Sequence, residues 1–184
     1  MSFEKVRDQL PDFGRDIRLN LETVLTEEGA PGLTRAQIFG VALASSYALN
    51  SVPLITAVLK EGGLDEAHIE AGKSSATIMA MNNVYYRSQH LMEDPELKKL
   101  PAKLRMTVIG KPGIEKVDYE LMCFAVSALA GCGQCLTSHL HELRKAGISN
   151  EGAQSAIRIA STLNAANTAL NIAGVSRFQN GPQA

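Results

Sequence analysis

Runs in which apolar and polar residues alternate one by one are scarce along this chain. Its apolar positions come instead in Ala- and Leu-rich stretches, broken by Gly, Pro and potential capping residues. Ala is the strongest helix former, and strands are marked by alternating β-branched and aromatic residues, so the pattern predicts an all-α protein. Phe3–Leu10 reads as a short helix stopped by Pro11, and Phe13–Leu25 as a second, followed by a turn at Pro31-Gly32. Thr34 is placed to cap the next helix, with Gln37 at capping-box spacing, and that helix runs towards Asn50. Pro53–Lys60 follows and ends at Gly62-Gly63. Asp65 is placed to cap a helix reaching about Arg87. Residues 93–116, with Pro95, Pro101 and Pro112, read as a connector. Lys116–Ala130 is helical and broken by Gly131, Cys132 or Gly133 opens a helix that stops at Gly147, and Asn150–Ala173 is the last.

The order of helix, break, helix, Gly stop and capped helix occurs twice. An offset of 85 positions puts Phe39 on Phe124, Gly62 on Gly147 and Asn82 on Asn167. This suggests a single domain over 1–184 built from two pseudo-repeat halves, roughly 34–90 and 117–176. The same offset puts Cys132 on Tyr47 and Cys135 on Asn50, so only the second half would carry a dithiol.

The chain of 184 residues can bury a core without disulfide staples, and its net charge of −1 lacks the basic excess expected of a nucleic-acid partner. Ala36–Leu59 carries no charge, but Ser45, Ser46, Asn50, Ser51 and Pro53 interrupt it, so it reads as buried helix and not as a membrane span. The N-terminal MSFEKVRDQLPDFGRD is charged throughout and has no secretory-signal core, which sets the expectation of a cytoplasmic protein. In that compartment a close Cys pair is more often catalytic or metal-binding than structural.

The chemistry concentrates in GCGQCLTSHLHELRKAG, residues 131–147. A zinc site needs about four ligands, whereas Cys132, Cys135 and His139 make three and His141 falls on another face of the helix. Covalent haem attachment would need His where Leu136 stands. Cys123, inside an apolar helix, reads as a small buried hydrophobe, and the pair itself can be read that way too. The redox reading has more support. A helix N-terminus stabilises a thiolate, the i, i+3 spacing lets Cys132 and Cys135 close a disulfide, and His139 lies one turn beyond Cys135 on the same face. His139 is placed to move a proton, although a satisfied core histidine is the alternative. If the helices on either side of Gly131 form an antiparallel hairpin, Glu120 comes within about one turn of His139. As a residue type, a glutamate is more often solvated.

Several stretches together resemble the AhpD family, the alkylhydroperoxidase members of the carboxymuconolactone-decarboxylase-like superfamily. They are SFEKVRDQLPDFGRDIRLNL at the start, MAMNNVYYR at 79–87, LRMTVIGKPGI at 104–114, and YELMCFAVSALAGCGQC running on to His139. The resemblance implies an all-α fold with an internal duplication, a homotrimer, and a CxxC dithiol that reduces organic hydroperoxides as an antioxidant peroxidase. It implies electron relay from dihydrolipoamide, carried on a lipoylated dehydrogenase component, to the peroxiredoxin AhpC. It makes Cys135 the attacking thiol and Cys132 its resolving partner, with Glu120 and His139 as the proton relay, whereas a generic helix-start dithiol would make Cys132 the nucleophile. Gln134 stands where well-known members have a histidine, and it cannot titrate near neutral pH. Two other functions remain on the sequence: a decarboxylase of the carboxymuconolactone type, which would not need the thiols, and a non-catalytic dithiol interaction protein.

Overall fold

A computed structural model describes residues 1–179, with side chains to residue 175, and every regular element among them is helical. In chain order these are α1 (Phe3–Asp8), a 3-10 turn (Asp12–Gly14), α2 (Arg15–Val24), α3 (Arg35–Ala48), α4 (Val52–Glu61), α5 (Glu66–Met92), α6 (Pro95–Lys99), α7 (Thr107–Gly110), α8 (Lys116–Ala130), α9 (Gly133–Lys145) and α10 (Asn150–Gln179). The all-α expectation holds, and the capping chemistry explains most boundaries. Thr34 and Gln37 form the reciprocal capping box that opens α3, and the Asp65 carboxylate accepts from the His68 N–H at the start of α5.

The differences from the sequence reading have local causes. Residues 93–116 contain two short helices. Asp94 accepts from the N–H groups of Glu96 and Leu97, and Pro95 takes the first helical position, where its missing N–H costs nothing, so α6 begins where the prolines suggested only a connector. Helix α5 runs on to Met92, and α10 passes through Gly174. The uncharged segment Ala36–Leu59 is two helices separated at Leu49–Ser51, of which α3 is largely buried while α4 buries only Leu54, Ala57 and Val58, and no helix among the described residues is long and apolar enough to cross a membrane.

Helices α3, α5, α8 and α10 form the centre: α5 and α10 each pack on both α3 and α8. The main core gathers Ile38, Leu43, Leu54, Leu121, Leu143, Ile159 and Leu163. A smaller apolar cluster between α5, α8 and the start of α9 contains Met79, Tyr119, Met122, Cys123, Val126, Cys132 and Cys135.

Matched hydrogen bonds give a register between the halves that differs from a uniform offset of 85. Ser46 Oγ donates to the Ala42 carbonyl in α3, and Ser127 Oγ to the Cys123 carbonyl in α8, an offset of 81 (Ser46 to Ser127). The chain leaves each helix alike: the Ser51 N–H bonds to the Ser46 carbonyl and the Cys132 N–H to the Ser127 carbonyl. Further on, Asp65 Oδ1 accepts from the His68 N–H at the start of α5 and Ser149 Oγ from the Gly152 N–H at the start of α10, an offset of 84 (Asp65 to Ser149). The slip has a physical source, because α9 is longer than α4. In this register Ser51 and Leu54 stand opposite Cys132 and Cys135.

Gly131 ends α8 in the left-handed region at φ 65°, and nothing lies within 4 Å of the position a Cβ would take. Gly131→Ala therefore carries the backbone penalty without a clash. It is expected to destabilise the protein by about 1–2 kcal/mol in urea unfolding.

Candidate active site

The site is built on the break between α8 and α9. Cys132 is the N-cap residue of α9, and its sulfur accepts from the Cys135 N–H at 3.3 Å. The two Sγ atoms are joined in a disulfide, with Cα atoms 5.3 Å apart. The N-terminal end of α9 thus presents its unsatisfied N–H groups and positive dipole end to the pair. From α5, the Arg87 guanidinium donates to the carbonyl of Ala130, the last residue of α8.

The antiparallel run of α8 and α9 brings Glu120 to His139. Glu120 Oε2 lies 2.6 Å from His139 Nδ1, and both residues are buried, at 4% and 8% exposure. With Nδ1–H donating to the carboxylate, Nε2 is left as the basic nitrogen of the ring. His141 is exposed, on the side of α9 away from the pair. Among the described residues no group of three or more His, Cys, Asp or Glu is placed to hold a metal ion.

Glu120, Cys135 and His139 line one cavity of about 480 Å³, with Gln134, Ser138 and Glu142 on the same helix as Cys135. Cys132 does not line it and is fully buried. The geometry therefore distinguishes the two sulfurs: one faces the space a ligand would enter, the other closes the bond from behind. Gln134 is exposed at this wall, where it can hydrogen-bond but carries no titratable proton. Lys116 at the rim lies 3.5 Å from Glu142.

The opposite wall comes from parts of the chain the motif did not reveal. Met79, Asn82 and Tyr86 project from α5, while Met106 and Ile109 come from the connector and α7. Tyr86 Oη lies 3.9 Å from Met106 Sδ, so the connector is folded against α5 over the cavity. No catalytic residue type marks these positions. Their signal in the sequence was membership in MAMNNVYYR and LRMTVIGKPGI.

Two titratable neighbours are held neutral. Burial pushes the Cys123 thiol well above its usual range, and the Glu120 charge adds to the effect. The Tyr119 phenol is pushed up to about 12, mainly by burial, against the lowering effect of its hydrogen bond with Ser74. Thiolate chemistry needs an ionised sulfur, so Cys123 is a packing residue, as its apolar helix suggested.

The Carboxymuconolactone decarboxylase family model matches residues 95–176. Over longer spans the chain is similar to proteins named alkyl hydroperoxide reductase AhpD. The relative from Coxiella burnetii (strain RSA 493 / Nine Mile phase I) is 49% identical over 160 residues, covering 86% of this chain and 90% of that protein. The relative from Rhodospirillum centenum is 43% identical over 186 residues, covering 100% and 98%. The relative from Streptomyces griseus is 44% identical over 177 residues, covering 95% and 98%.

After reduction, a small alkylating reagent is expected to label Cys135 first and to leave Cys123 unmodified until denaturant is added. Peptide mapping of a labelling time course checks this. Early labelling of Cys123 in the folded protein would contradict its assignment as an inert core thiol.

Proposed function

The chain belongs to the AhpD family of alkyl hydroperoxide reductases, and from that premise we propose that Cys135 and Cys132 carry its peroxidase chemistry, with His139 and Glu120 moving the proton. The observation that carries this reading is the shared cavity of Cys135, His139 and Glu120, with Cys132 bonded behind it. In the reduced state His139 Nε2 takes the Cys135 proton, and the Glu120 carboxylate stabilises the imidazolium that forms. The thiolate attacks the hydroxyl oxygen of R–O–O–H. An S–O bond forms, the O–O bond breaks, and the departing alkoxide takes a proton from His139 to leave as alcohol. Cys132 then attacks the sulfenic sulfur, water leaves, and the disulfide closes before further oxidation can occur.

The cycle consumes two electrons, which a dithiol donor returns by exchange. We assign that role to dihydrolipoamide on a lipoylated dehydrogenase component, and place the peroxiredoxin AhpC downstream as an acceptor of the same electrons. A cytoplasmic homotrimer, assembled from chains each carrying two copies of one helical unit, completes the proposal. Its support is the family likeness, together with the repeated order of α3–α4–α5 and α8–α9–α10. A decarboxylase of the carboxymuconolactone type has less support, since the full-length relatives carry the reductase name and that chemistry has no use for the dithiol.

Intact mass after reduction and one equivalent of an organic hydroperoxide tests the reading. Loss of two hydrogens, mapped to Cys132–Cys135 and reversed by dihydrolipoamide, is the expected result, and an unchanged mass would overturn it. Cys135→Ser is expected to abolish peroxide consumption. Cys132→Ser should permit one turnover that ends at a sulfenic acid on Cys135, detectable with a sulfenic-acid trap.

Glu120→Gln keeps a hydrogen-bond acceptor for His139 and removes the charge. At pH 7 it is expected to slow oxidation of the dithiol at least tenfold, a modest share of what general bases contribute. The deficit should narrow as pH rises past the ordinary thiol value of about 8.5, where the thiolate forms without assistance. A stopped-flow pH series reads both effects.

A further inference from the structure

Asn82 is a buried polar group on the α5 side of the cavity, and the reaction scheme leaves it without a task. It is 4% exposed and lines the same cavity as Cys135 and His139. Its Nδ2 lies 3.9 Å from Met79 Sδ, a weak acceptor, and its Oδ1 has no hydrogen-bond partner. An unpaired buried amide oxygen carries a desolvation cost that an apolar residue of the same shape would avoid. The neighbouring Asn83 also has an unpaired Oδ1 but differs in its nitrogen and its surroundings. Its Nδ2 donates to the Val126 carbonyl at 3.4 Å, and it faces a different hollow, so that amide has a structural task in tying α5 to α8.

We infer that Asn82 is a substrate contact: its amide oxygen accepts the O–H of the hydroperoxide and so holds the distal oxygen for attack by Cys135. The inference rests on the peroxidase reading above. Oδ1 is itself shielded from solvent, and the torsion χ2 of Asn is broad, so a rotation of the amide brings the oxygen to a bound ligand. A hydroperoxide has one donor, its O–H, and that hydrogen stays with the transferred oxygen. Before attack it belongs to R–O–O–H, and after attack it belongs to the sulfenic acid on Cys135. A single acceptor therefore serves both states without moving a proton. The alkoxide oxygen leaves towards His139, which supplies the proton for the alcohol. The two walls divide the work: α5 holds the oxygen that is transferred, and α8 and α9 supply the sulfur and the proton.

The test separates the two half-reactions in the full-length protein. Stopped-flow measurement gives the second-order rate of dithiol oxidation by an organic hydroperoxide, and separately the rate of disulfide reduction by a small dithiol. Asn82→Leu, close in shape and apolar, is expected to lower the first rate about tenfold and leave the second within twofold of the parent. Its thermal midpoint should not fall, since an unpaired buried oxygen has been removed. Asn82→Ala serves as a second variant if the Leu chain does not fold. An unchanged oxidation rate in a folded variant would overturn the inference and leave the peroxidase reading standing. Equal loss in both half-reactions would also overturn it, by showing a structural role. A parent protein inert to hydroperoxide would remove the peroxidase reading and this inference together.

Discussion

Everything in this site depends on how the chain turns between Ala130 and Gly133. Gly131 takes a left-handed conformation that most side chains resist, and Cys132 is at once in extended geometry as the cap of the next helix. A break this short forces α8 and α9 to run antiparallel and in contact. One consequence is that Glu120 and His139, 19 positions apart in sequence, meet as a buried hydrogen-bonded pair. Another is that both cysteines sit at a helix N-terminus, where backbone N–H groups are unsatisfied and the dipole favours a thiolate. The Arg87 guanidinium on the Ala130 carbonyl ties the same corner to α5, so the far wall of the cavity is fixed relative to the dithiol.

Burial without an ionic partner keeps two groups in this corner neutral. Cys123 and Tyr119 lie in the same apolar cluster as the dithiol, yet low polarity holds both protonated. The Glu120 carboxylate is buried too, and its pairing with His139 offsets the desolvation that an isolated charge would suffer there. Cys135 has a share of the cavity while Cys132 has none, which suits attack by one sulfur and resolution by the other. The first half of the chain makes the same backbone break at Asn50–Ser51 but carries Ser51 and Leu54 at the matching places. Its contribution is instead the α5 wall, with Met79, Asn82 and Tyr86.

Much of this was legible in order along the chain. Thr34 with Gln37, Asp65, and the glycines at 131 and 147 mark helix ends by local chemistry, so the sequence located α3, α5, α8 and α9 to within a few residues. The dithiol and His139 were legible for the same reason, since positions one turn apart on a helix share a face whatever surrounds them. The register between the halves was not. Side-chain identities favoured a uniform offset of 85, whereas the hydrogen bonds at the helix ends set 81 and then 84, because the length added to α9 is invisible to a single shift.

By itself, then, the sequence determined the helical class, the break at Gly131 and the CxxC-to-His139 spacing, all consequences of bonds and contacts within a turn or two. Glu120 stood between these and the rest, reachable only on the assumption of a hairpin. The tertiary structure decided which cysteine faces the cavity, whether the connector packs or dangles, and which helix of the first half closes the site. Those outcomes depend on how α5 and the segment around Met106 and Ile109 pack across distances that no local pattern encodes, since apolar burial is non-directional and a residue's type does not say which neighbour will cover it.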